Sequence, residues 1–82
     1  MPQQQSTREA ISDGVIAARV KAVLLVDPIT VAFEIHVEAL AGIVQLTGFV
    51  GTTTVRDAAL QLAQNVEGVR QVSDSLDIRR AD

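Results

Sequence analysis

The chain has 82 residues, 48% of them hydrophobic, with seven Lys or Arg against ten Asp or Glu and a net charge of -3. That length holds one small domain and no second one, and the acidic balance, with no basic cluster beyond Arg79-Arg80, argues against nucleic acid as a partner, since phosphate contacts need concentrated positive charge. The lack of cysteine excludes disulfides, thiolate catalysis and Cys-based zinc sites.

The apolar residues are Val, Leu, Ile and Ala, with Phe33 and Phe49 as the aromatics. Such a core is held by many close aliphatic contacts rather than by one large ring. The first residues, M-P-Q-Q-Q-S-T-R-E, carry no apolar h-region, so no signal peptide is expected. No apolar run approaches the roughly 20 residues that span a bilayer. The expectation is a cytoplasmic chain or a domain excised from a periplasmic or envelope protein.

Residues 1–12 read as a polar, Gln-rich tail, although Ser6 and Glu9 have capping-box spacing. The folded domain is expected over 13–79, with 80–82 as a short C-terminal tail. Ser12 or Asp13 caps a helix over Asp13–Leu25, whose Ile16, Val20, Val23 and Leu24 recur as one stripe facing a core. Asp27-Pro28 ends it, because the residue before proline is pushed out of the helical region.

Val31 to Ala39 reads as a strand. Phe33, Ile35 and Val37 point one way, and Glu34, His36 and Glu38 the other. Leu40-Ala41-Gly42 is a turn, and Ile43–Val50 returns antiparallel as a hairpin. In that second strand Val44, Leu46, Gly48 and Val50 alternate with Gln45, Thr47 and Phe49. Gly48 falls on the apolar face, where a side chain would hold off what packs above it, and it is expected to be the hollow for a helix.

Thr52 is the expected N-cap of a second helix running to about Asn65, with Val55, Ala58, Ala59, Leu62, Ala63 and Val66 as its apolar stripe and Asp57 suited to its dipole. Gly68 turns the chain out. Val69–Arg79 is the last strand, with Val72, Leu76 and Ile78 on its core face. Asp74 shares that face by parity, which a bulge, an edge position or a hydrogen bond accommodates. The prediction is an α+β two-layer sandwich in α-β-β-α-β order, two helices on one face of a three-stranded mixed sheet. The last strand is expected to run parallel to the second through a right-handed crossover.

No catalytic, cofactor or metal motif is present. The chain has one His and no base–nucleophile pair, so no enzyme is expected. Glu34, His36 and Glu38 form a row that reads either as a divalent-metal set or as a solvated polar face. The flat strand favours the second reading. Thr52-Thr53-Thr54 after Gly51 is better explained by capping than by anion binding. Ile43 and Phe49 share the outer face with that charged row, and with Ile29 they form an apolar patch of the kind that marks a contact surface. The candidate interaction face is therefore Glu34, His36, Glu38, Ile43 and Phe49, and the structural glycines are Gly42, Gly48 and Gly68. Arg56, Arg70 and Arg79-Arg80 are scattered cations that read as ordinary surface charge or as contacts for anionic headgroups.

The order of these pieces carries a resemblance. A helix ends in L-L-V-D-P. A strand follows, then G-I-V-Q-L-T-G-F-V, then R-D-A-A-L-Q-L-A, then V-E-G-V-R-Q-V-S-D-S-L-D-I. From about Asp13 to Ile78 the chain resembles a BON domain, the module named for an osmotically inducible periplasmic protein and for nodulation proteins. Asp74 stands where that pattern usually has Asn, and no signal peptide of the periplasmic members is seen. The resemblance implies a non-enzymatic bacterial module that binds phospholipid or associates with the cell envelope. Its alternative is a cytosolic protein-interaction or small-ligand and ion-sensing domain acting through the open sheet face. It implies no catalytic residues and no cofactor. The expected partner is an anionic phospholipid surface or another protein domain, with the chain a monomer or weak homo-oligomer.

Overall fold

The computed structural model describes residues 11–79. The elements are α1 (Asp13–Val26), β1 (Ile35–Leu40), β2 (Ile43–Val50), α2 (Thr53–Gln64) and β3 (Gln71–Ile78). The Ser6–Glu9 pair, Arg80 and nearly all of both expected tails lie outside the described residues.

The sheet order is β1-β2-β3. β1 pairs antiparallel with β2, and β3 pairs parallel with it, as the crossover through α2 requires. One core forms where both helices meet the sheet. It takes Ile16, Val20 and Leu24 from α1, Val55, Ala59 and Ala63 from α2, and Ile35, Val44, Leu46, Val50 and Leu76 from the strands. The fully buried alanines Ala59 and Ala63 keep α2 close to the sheet. Among the described residues no helix is long and apolar enough to cross a membrane.

The helix starts are set by side chains. Ser12 Oγ accepts from the Val15 N–H at 3.2 Å, and Thr52 Oγ1 accepts from the Val55 N–H at 3.3 Å. Asp57 lies in the second turn of α2, too far along to serve the helix start, and pairs instead with Arg56 at 3.2 Å.

The first strand begins later than expected. Residues 28–33 form turns, not extended chain. Asp27 Oδ1 accepts from the Ile29 N–H at 2.8 Å, and the Val31 N–H donates to the Asp27 carbonyl at 2.9 Å. Thr30, 1% exposed, donates its hydroxyl to the Leu24 carbonyl at 2.7 Å and so satisfies an orphan acceptor at the end of α1. These local bonds outcompete the strand propensity of Val31-Ala32-Phe33.

One glycine acts differently from expectation. Gly48 is no hollow for a helix. Its φ is +131°, and a Cβ there would stand 2.6 Å from the backbone carbonyl oxygen of Glu34, so the missing side chain lets the start of β1 approach β2. Gly68 keeps its expected place in the turn out of α2, with φ +100°, and also faces α1, where a Cβ would meet Ile16 at 3.1 Å. Gly42 keeps its expected place in the hairpin turn, beside Ala41, and both have positive φ, +83° and +53°.

Candidate functional site

The face of the sheet away from the helices is built by strand alternation. Register places His36 beside Thr47, Glu38 beside Gln45 and Leu40 beside Ile43. On the other side of β2, Ile43 is beside Gln71, Gln45 beside Ser73, Thr47 beside Ser75 and Phe49 beside Asp77. Gln45 Nε2 donates to Ser75 Oγ at 3.2 Å across that face.

Four of the five expected face residues are gathered here: His36, Glu38, Ile43 and Phe49. The imidazole of His36 and the carboxylate of Glu38 are 3.4 Å apart, with both side chains about seven-tenths exposed. Glu34 precedes β1, and its backbone is spent on the close approach at Gly48. Among the described residues no three His, Cys, Asp or Glu side chains converge to hold a metal ion. Ile29 is not part of the sheet surface. It sits in the turn after α1, tied to Asp27.

Two residues of the face were not singled out from sequence for this surface. Leu40, assigned to the turn, is the last residue of β1 and is 76% exposed beside Ile43. Arg79 lays its guanidinium over the Phe49 ring, 4.5 Å from the centroid. Counting on from Ser75 and Asp77 in steps of two would have found it. Phe49 is itself 51% exposed, so the cation–π pair is open to solvent.

The other described arginines are committed elsewhere. Arg56 on α2 pairs with Asp57 and approaches Asp74 Oδ2 at 3.7 Å. Asp74 Oδ1 accepts from the Leu76 N–H at 3.0 Å, which together with the edge position of β3 resolves its place on the core face. Arg70 lies at the hairpin turn. Its backbone N–H donates to the Gly42 carbonyl at 2.8 Å, and its side chain reaches the Ala41 carbonyl at 3.4 Å. The arginines therefore form no cationic patch among the described residues. Chemically, the open face offers two separate apolar spots, Leu40 with Ile43 at the hairpin end and Phe49 at the other end of β2, with the polar Gln45 and Thr47 between them. Arg79 and the carboxylate of Asp77 lie beside Phe49, and that of Glu38 lies near the hairpin end.

The comparisons agree with this architecture. The chain is similar to the Osmotically-inducible protein Y of Escherichia coli (strain K12), 37% identical over 71 residues. That alignment covers 87% of this chain and 35% of the relative, so the chain spans about a third of that protein's length. The family model of the BON domain matches residues 12–80, which takes in every helix and strand described above. The chain belongs to the BON domain family.

Proposed function

We propose that this chain is a non-enzymatic binding module of the cell envelope, and that the helix-free sheet face makes its contact with anionic phospholipid. The observation that carries the reading is the exposed Phe49–Arg79 pair at one end of that face, opposite the exposed Leu40 and Ile43 at its hairpin end. An aromatic ring with a cation on its face suits the boundary between headgroups and acyl chains. Similarity to an osmotically inducible protein supports a role under osmotic stress. Co-sedimentation with vesicles rich in phosphatidylglycerol tests the reading. Binding is expected that salt abolishes, that vesicles of phosphatidylcholine alone do not support, and that Phe49→Ser and Arg79→Glu each reduce.

A second reading is a partner protein domain on the same face. Glu38 and Asp77 favour it, because carboxylates near both apolar spots repel an anionic surface. No binding to either vesicle, with the fold intact by circular dichroism, selects this reading over the first.

A further inference from the structure

The helix α1 is apolar on two opposite faces. Within Asp13–Val26 the polar side chains are those of Asp13, Arg19 and Lys21. Of the expected stripe, Ile16, Val20 and Leu24 enter the core, while Val23 is only half-buried. Directly opposite, Val15, Ala18, Ala22 and Leu25 recur at spacings of three, four and three residues, the period of a helix–helix seam. All four are exposed, Val15 at 42% and Leu25 at 51%, and Val26 beside them is 80% exposed. A helix that is apolar all round is normally covered on all sides. Among the described residues nothing covers the outer side, away from the sheet.

We propose that this stripe is the contact between two copies of the chain, packed as antiparallel α1 helices around a two-fold axis at the level of Val20. The order of the residues points to a second copy. Read from either end the stripe runs large, small, small, large. Antiparallel pairing about its centre sets Val15 against Leu25 of the second copy and Ala18 against its Ala22, each contact occurring twice, as an isologous interface demands. The alanines at the middle permit close approach of the axes, toward the lower end of the usual 8–10 Å. The cations that flank the stripe are drawn off it. Lys21 Nζ donates to the Ile35 carbonyl at 2.8 Å, and Arg19 reaches toward Glu67 at 3.9 Å. Like charges meeting across the two-fold are thereby weakened. One helical face is smaller than the roughly 1,200–2,000 Å² of a standard interface, so the dimer is weak and concentration-dependent.

Sedimentation equilibrium of the full chain from micromolar to millimolar concentration reads the association. A monomer–dimer equilibrium is expected, weakened at least about tenfold by Ala18→Glu, while Phe49→Ser on the opposite side of the domain leaves it unchanged. Ala18 is exposed and Glu is a good helix former, so the variant keeps its fold. Because the chain has no cysteine, the register is read directly: mixed A18C and A22C chains are expected to form the mixed disulfide in preference to either homodisulfide. A wild-type chain that stays monomeric at millimolar concentration overturns the proposal. So does a dimer indifferent to Ala18→Glu, or one lost with Phe49→Ser. Partition into vesicles that depends on Val15 and Leu25, without dimerisation, assigns the stripe to lipid and overturns it too.

Discussion

The carboxylate of Asp13 holds the hairpin turn at Ala41. From the first turn of α1 it accepts the Ala41 N–H at 2.8 Å and the Gly42 N–H at 3.1 Å, across 28 and 29 residues of chain. Arg70 closes the same turn from the other side through the Gly42 carbonyl. Three separate parts of the chain thus meet at two residues. The Asp13→Ala variant removes two charge-assisted bonds and should cost about 1–2 kcal/mol after discounting for solvent access. Thermal unfolding should show Tm lowered by about 4–8 °C for each kcal/mol in a domain of this size. Asp13→Asn, which keeps one acceptor oxygen, should lose less.

Ala41 is an L-residue with a side chain at φ +53°. Two central residues with positive φ fit the hairpin turn that matches strand twist, where Asn-Gly is the favoured pair. The Ala41→Asn variant should therefore raise stability by about 0.5–1 kcal/mol, because Asn tolerates the left-handed region better than Ala. Urea unfolding should show a higher midpoint with an unchanged slope.

Gly48 and Gly14 should respond in opposite directions to one methyl group. At Gly48 the new Cβ meets the Glu34 carbonyl oxygen at 2.6 Å and the backbone φ is +131°. Gly48→Ala is expected to cost about 2–4 kcal/mol. At Gly14, in the first turn of α1, a Cβ meets nothing within 4 Å. Gly14→Ala is expected to gain up to about 0.5–1 kcal/mol from helix propensity. Equilibrium unfolding of both variants beside wild type measures the contrast.

Thr30→Val should destabilise by about 1–3 kcal/mol despite its equal size. The change strips the Leu24 carbonyl of its 2.7 Å donor inside the core. Thr30→Ser restores the hydroxyl and should recover part of the loss, which separates the bond from the packing of the methyl group.

Legibility in the sequence followed the range of the interactions. The alternation of Val44, Leu46 and Val50 marked β2, and Ser12, Thr52 and Asp27-Pro28 marked helix ends, because each acts within a few residues. Val31-Ala32-Phe33 misled, since β propensity there lost to the bonds of Asp27 and Thr30. The role of Asp13 at a turn 28 residues away left no local trace. On the open face, parity identified His36, Glu38, Ile43 and Phe49, but Leu40 was hidden by its place beside the turn. The outer stripe of α1 went unread because a search for one apolar face stops at Ile16, Val20, Val23 and Leu24.

Of the side chains on β3, Leu76 alone is buried, and Ile78 remains 38% exposed at the sheet margin. The strand is attached chiefly by its parallel ladder to β2 and by its Arg79–Val50 and Arg70–Gly42 end bonds. Its ladder to β2 joins residues 28 apart, against 3 at the end of the β1–β2 hairpin, so during folding it zips on after that hairpin. In the native protein it should peel away first. Amide hydrogens along Gln71–Ile78 will then exchange with solvent sooner than those β2 donates to β1.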